Sequence, residues 1–259
     1  MSNTIHPTAI VSPKATLGEN NTIGPYVIIE DDVVMGNNNL FGPLVCVYNG
    51  ARIGNNNKFH QAVSVAHIPQ DLKFTGEPTE MRIGDNNVFH EFVTMHRGTK
   101  ETGFTSVGSN TLLMAYVHVA HDCVVGSNVV VANLTQMGGH VHLEDWVTVG
   151  GMTAVVQFCT IGKHAMVGGG FKVVKDVPPF VLAGGEPLRF SGLNVVGLRR
   201  RGFSNQDISE IKDMYRLIYD AGLLHKEAAE KILEKYPESE FAKDVVSFME
   251  HSKKGILGK

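Results

Sequence analysis

The stretch LGENNTIGPYVIIEDDVVMGNNNLFG, residues 17–42, places a large apolar side chain at every sixth position: Leu17, Ile23, Ile29, Met35 and Phe41. Extended both ways, the same step starts at Ile5 and runs through Val173. Of the 29 positions from 5 to 173 in this register, only Asp71, Glu77 and Glu101 are not large and apolar. Glycine often follows, as at Gly18, Gly24, Gly36 and Gly42, and four positions on the residue is small or β-branched, as at Ala9, Val27, Ala51 and Thr111. A period of six is neither the 3.6 of a helix nor a two-residue alternation. It predicts one short strand and one corner per hexad, with Asn, Asp and Gly making the corner in LGENNT, MGNNNL and IGDNNV. Three sides close a triangular coil of 18 residues, and coils stack with parallel strands in register. The expected class is mainly β, a hexapeptide-repeat solenoid.

Two segments leave the frame, VAHIPQDLKFTGEPTEMR (65–82) and KETGFTS (100–106), and read as loops on the prism. Loops on a rigid solenoid are where binding groups concentrate. The pattern stops at KDVPPF, where Pro178-Pro179 breaks the strand. The division expected is a β domain over 1–188, with insertions near 66–82 and 100–106, and a small helical domain over 189–259. In the latter, Ser204 is the expected N-cap of a helix carrying Ile208, Ile211, Tyr215 and Ile218, followed by helices near 225–235 and 239–251.

Composition narrows the function classes. No apolar run approaches the ~20 residues that cross a bilayer, so no membrane span is expected. MSNTIHPTAIVSP lacks a secretory n-region and apolar core, and three cysteines argue against a disulfide framework; both fit a reducing cytoplasm. The net charge of −3 is split: 1–188 carries 10 Lys+Arg against 15 Asp+Glu, and 189–259 carries 13 against 11. That leaves a mildly basic C-terminal surface for an acidic partner and no footprint for nucleic acid.

Residues 18 apart stack in one column, which tests the polar pair in VAHDCVVG (119–126). His121 is followed by Gly139 and Gln157, and Asp122 by His140, so these form two adjacent columns on one corner, with His118 beside them. Ordinary corners carry Asn-Asn or Ser-Asn, and asparagine would suffice here. A histidine titrating near neutrality can instead act as a general base, with an adjacent carboxylate to orient it. A backbone N–H at a glycine can approach a developing oxyanion closely. Cys123 and Cys159, 36 residues apart, fall on the small inward position and read as core, and Cys46 has no histidine partner. His6, His60, His67, His90, His164, His225 and His251 read as surface or packing residues, and His96 as a residue bordering the cleft.

The hexad frame resembles the left-handed parallel β-helix of the hexapeptide-repeat acyltransferases over residues 5 to about 178; the left hand is implied by that resemblance. HVAHDC, QDLKFTGEPT, HRGT, GGMTAVVQFC, MVGG, DVPPF and NVVGLRRRGFS further resemble the UDP-N-acetylglucosamine acyltransferase family. The resemblance implies transfer of a 3-hydroxyacyl chain from acyl carrier protein to the 3-hydroxyl of UDP-N-acetylglucosamine, the first step of lipid A synthesis. It implies a cytoplasmic homotrimer with clefts between subunits, no cofactor and no metal. Carried over, His121 is the general base, Asp122 its support and Gly139 the oxyanion donor. Gln70, Asp71 and Lys73 contact the acceptor, and His118, His140 and Gln157 line the cleft. Gly169 sets the depth of the acyl groove, and Asn194, Arg200 and Arg201 serve nucleotide phosphates or the carrier protein. Val156, Pro187 and Val196 depart from the common pattern at positions that affect acceptor recognition. Three alternatives stay open: transfer onto the 3-amino analogue, a zinc carbonic anhydrase on the same solenoid, and a non-catalytic binding scaffold.

Overall fold

Strands of two to five residues, one per hexad, lie on three sheets of 11, 9 and 8 strands. The computed structural model describes residues 2–259. Neighbouring strands are parallel and pair at an offset of one coil, Thr4 with Thr22, Ile10 with Ile28 and Thr16 with Val34. The coil is a left-handed β-helix. Corners form because most hexads pass one residue through the left-handed backbone region: Asn20, Tyr26, Asn38 and Leu44 have φ of 58–62°. Asn tolerates that region, whereas Tyr and Leu pay about 1–2 kcal/mol for it, which the stacked ladders and core offset.

The sixth-position residues form the core. Phe41, Phe59 and Phe89 stack with centroids 4.7 and 4.9 Å apart, and Leu113 through Val173 in the same frame are buried. Ile5 is 46% exposed because no coil lies beneath the first one. At one corner buried asparagines replace the small residue. Their side chains form a ladder in which Asn39 N–H donates to Asn21 Oδ1 (2.8 Å), Asn57 to Asn39 (2.9 Å) and Asn87 to Asn57 (2.9 Å).

Both insertions are narrower than the sequence suggests. Ser64–His67, Glu80–Ile83 and Phe104–Val107 are strands, because the ladder continues into the flanks, Glu80 opposite Phe104 and His67 opposite His96. The loops proper are 68–79 and 97–103. Lys58 pairs with Val88 and Val88 with Leu112, offsets of 30 and 24 against the usual 18. The excesses are whole multiples of six, so the frame resumes in phase. Both loops leave from the edge joining the 9-stranded and 8-stranded sheets.

Above the last coil, Val181–Gly184 pairs in parallel with Met166–Val167 and antiparallel with Arg189–Leu193. Four helices follow: α1 (Val195–Arg200), α2 (Asn205–Tyr219), α3 (His225–Lys235) and α4 (Glu240–His251). Ser204 caps α2 in a capping box with Asp207, and Ile208, Ile211, Tyr215 and Ile218 are buried, as their spacing predicts. The helices are tied to the prism by Tyr215 Oη donating to Pro179 O (2.6 Å), by Lys163–Asp244 (2.7 Å), and by buried Asp176, whose carboxylate accepts from Thr160 N–H (2.7 Å) and Ser252 Oγ (2.6 Å). No helix among the described residues is long and apolar enough to cross a membrane.

Candidate active site

The edge that carries both insertions also carries VAHDCVVG, in the coil directly above loop 97–103. Asp122 is the corner residue, at φ 60°, and His140 occupies the same corner one coil on, at φ 61°. The Asp122 side chain is fully buried and that of His121 is 16% exposed, with His121 Nδ1 2.7 Å from Asp122 Oδ2. Burial by itself raises the Asp122 carboxyl, but hydrogen bonds from Thr102, His121 and Thr99 outweigh it and hold the group below its ordinary value. Asp122 is therefore an anion that can only accept, so His121 Nδ1 carries the proton and Nε2 presents its lone pair.

Gly139 lies against that ring. A Cβ built there would stand 2.5 Å from His121 Cε1 and 2.7 Å from Nε2. Only glycine lets the backbone come so near the basic nitrogen. His140 stacks on Phe158 (4.5 Å) and meets the His121 ring edge-on (5.4 Å), with its Nε2 3.3 Å from Glu101 and 3.6 Å from Asp122. His118 Nδ1 bonds Thr94 Oγ1 (2.8 Å). Burial, then the neighbouring His96 and His121, push His118 down to about 4, so it is a neutral hydrogen-bonding group at pH 7. A cavity of about 770 Å³ opens beside the pair, lined by Thr102, Asp122, His140, Phe158 and, from α4, Ser247 and His251.

Exposed Gln157 follows one coil above Gly139, and its backbone meets Gly138 closely. Gln70, Asp71 and Lys73 lie on loop 68–79, where Asp71 Oδ1 accepts from Lys73 N–H (3.0 Å). The remaining predicted residues do not gather at this corner within one chain. Gly169 sits on the edge between the 11- and 9-stranded sheets, above Gly151. Arg201 lies over Trp146 (5.4 Å) and beside His164 (3.4 Å), on the third edge, and Arg200 is exposed on α1. Asn194, expected to meet anionic groups, is 6% exposed and committed to capping α1: its Oδ1 accepts from Gly197 N–H (3.1 Å) and its Nδ2 donates to His164 O (2.9 Å).

Sequence reasoning missed Thr99, Thr102 and Glu101, which reach Asp122 and His140 from loop 97–103. The signal was present in the position of the loop, inserted at the corner one coil beneath Asp122. His96 is buried and sits in a row of rings with His67 (5.7 Å) and His118 (5.1 Å). Ligand atoms of His121, Asp122 and His140 lie within 4.8 Å of one another, as a metal site would need. The Asp122 oxygens, however, already accept from Thr99 N–H (2.9 Å), Thr99 Oγ1 (2.8 Å), Thr102 Oγ1 and His121. Burial lifts the Cys123 thiol to about 12 and Cys159 to about 11, which removes both as nucleophiles at neutral pH.

The family described as "Udp N-acetylglucosamine O-acyltransferase; Domain 2" matches residues 176–257, and "Bacterial transferase hexapeptide (six repeats)" matches 104–139. The chain is 50% identical over 258 residues, covering 98% of both chains, to an acyl-(acyl-carrier-protein)-UDP-N-acetylglucosamine O-acyltransferase of Burkholderia mallei. It is 47% identical over 260 residues, again 98% of both, to the enzyme of the same name from Janthinobacterium sp.. A solved UDP-N-acetylglucosamine acyltransferase from Bacteroides fragilis superposes with a TM-score of 0.96 at 42% identity, covering 98% of this chain and 100% of that one.

Proposed function

This chain belongs to the UDP-N-acetylglucosamine O-acyltransferase family, and we propose that it works by direct attack of a sugar hydroxyl on a carrier-bound thioester, with His121 as general base. The reaction is acyl transfer from acyl carrier protein to UDP-N-acetylglucosamine, the first step of lipid A synthesis. The observation that carries the mechanism is the triple contact at His121: Nδ1 on the Asp122 anion, Nε2 free of it, and Gly139 backbone against the ring.

Nε2 takes the proton of the 3-hydroxyl as its oxygen attacks the 3-hydroxyacyl thioester carbonyl. The negative charge moves to the carbonyl oxygen, and Gly139 N–H is the donor that stabilises it in this reading. The tetrahedral intermediate collapses, the C–S bond breaks, and the carrier thiol leaves with the proton from His121. Asp122 stabilises the imidazolium between the two transfers. No acyl-enzyme forms. Gln70, Asp71 and Lys73 hold the sugar nucleotide from the loop two coils below, while His118, His140 and Gln157 shape the cleft. Arg200 and Arg201 suit phosphate or an acidic carrier protein because the guanidinium fork binds oxyanions bidentately.

The working unit in this reading is a homotrimer. Along the edge between the 11- and 9-stranded sheets, Tyr26, Leu44, Phe92, Tyr116, Leu134 and Met152 are 40–71% exposed at corners of the coil. An apolar column of that length suits burial against sister chains. It would also explain why Gly169 and Arg201 lie on edges away from the dyad: a second copy would supply them to it. The three cysteines are free thiols, which suits a cytoplasmic location.

Gly169 carries no side chain to shorten an acyl groove, so donors longer than ten carbons are expected to turn over faster than the ten-carbon donor. An assay of a 3-hydroxyacyl donor series with both UDP-N-acetylglucosamine and its 3-amino analogue checks this. Preference for the ten-carbon donor would refute the groove assignment, and faster amide than ester formation would refute the acceptor.

A further inference from the structure

The loop 97–103 has no part in the repeat, yet both of its threonines, with Thr105 just beyond it, hold one residue. Thr99 N–H and Thr102 Oγ1 donate to Asp122 Oδ1, and Thr99 Oγ1 donates to Oδ2 (2.8 Å) beside the bond from His121. Thr105 Oγ1, at the loop's exit, accepts from the Asp122 backbone N–H (2.8 Å). Each carboxylate oxygen thus has two donors, and only one of the four comes from His121. Glu101 on the same loop lies 3.3 Å from His140 Nε2, nearer than Asp122 at 3.6 Å. The second imidazole is therefore offered its own carboxylate, and Oδ2 is left to His121.

We propose that this insertion is a carboxylate clamp, in which Thr99 and Thr102 are positioning residues that hold Asp122 in one orientation against His121 Nδ1. The proposal rests on His121 being the general base. An unclamped aspartate at a corner would rotate about χ1 and χ2 and share itself between His121 and His140. With both oxygens fixed, the imidazole has one bonded orientation, and Nε2 stays aimed past Gly139. The clamp also keeps Asp122 charged. Hydroxyl and amide donors favour the ionised form of a carboxyl that burial would otherwise neutralise. The charged or titratable groups around it are His121 and His140 on its own corner, Cys123 next in chain, Glu101 from the loop, and, along the cavity, His142, Glu144, Lys163, Asp176, Asp244, His251 and Lys253.

The sign of the pH effect follows. The Asp122 anion is lost as pH falls through the Asp122 pKa, and removing donors raises that pKa. The acid limb of kcat belongs to protonation of the base itself, so the change is read at the Asp122 carboxyl carbon by NMR. Thr99→Val, Thr102→Val, the double variant, Thr102→Ser and Asp122→Asn are assayed for kcat and KM, with the Asp122 carboxyl titrated by NMR where it is retained and melting temperature recorded. Expected are a fall in kcat of about 10-fold for Thr102→Val and about 10²-fold for the double. KM should stay within twofold, the Asp122 carboxyl titration should rise by about one pH unit, and Thr102→Ser should recover most of the activity. If valine unfolds the loop, Thr102→Ala carries the same test. The clamp is overturned if the threonine variants keep wild-type kcat while Asp122→Asn is inactive, or if kcat falls with an unmoved Asp122 carboxyl titration. A fully active Asp122→Asn would overturn the clamp and the dyad together.

Discussion

His121→Ala is expected to lower kcat by about 10²–10⁴-fold, the usual worth of a positioned general base, while leaving KM for both substrates near its wild-type value. The imidazole is the group whose Nε2 meets the acceptor hydroxyl as it ionises, so its contribution belongs to the transition state and appears in kcat. The fold should not register the change. His121 stands outside the apolar core, edge-on to His140 at 5.4 Å, and its own coil is held by buried Val119 and Cys123 on either side of it. Steady-state rates alongside a thermal melt make the comparison. A melting temperature unchanged with kcat within a few-fold of wild type would remove His121 from the chemistry and favour a binding scaffold.

Gly139→Ala should approach that loss without touching a titratable group. Its methyl carbon would sit 2.5 Å from Cε1 and 2.7 Å from Nε2, distances at which one partner must move. The glycine backbone is fixed between coils, since His140 N–H donates to His121 O (3.1 Å) and Phe158 N–H to Gly139 O (3.1 Å). The imidazole is the part that yields, and it breaks the 2.7 Å bond to Asp122 as it turns. A displacement of about 1 Å in a catalytic group costs on the order of 10²-fold. Because both substitutions remove the same ring placement, the double variant should be no slower than His121→Ala alone, a non-additivity that a rate cycle measures directly.

The solenoid and the dyad are legible in the sequence for one reason. A coil of fixed length turns residue number into position, so His121, Gly139 and Gln157 fall into a column by addition, and the insertions leave the count intact because they are whole hexads. The same rule fails wherever the chain leaves the frame. Thr99, Thr102 and Glu101 reach the site through a loop whose shape depends on contacts made by individual side chains, which no spacing encodes. Asn194 shows another side of this. Resemblance pointed it to anionic groups, and the structure adds a helix cap to Gly197 three residues on that the hexad count does not reach. Arg201 was placed by motif alone, and only the folded chain shows its edge, whereas the count of residues from His121 already puts Gly169 on another edge.

The central claim is direct acyl transfer at His121 with no covalent enzyme intermediate. The most direct test incubates the wild-type protein with 3-hydroxyacyl carrier protein, first without and then with UDP-N-acetylglucosamine, and follows intact-protein mass and sugar-nucleotide product. An unmodified chain is expected in the first step and acylated UDP-N-acetylglucosamine in the second. An acyl group found on the chain and chased into the sugar, or no acylated sugar nucleotide at all, would contradict it.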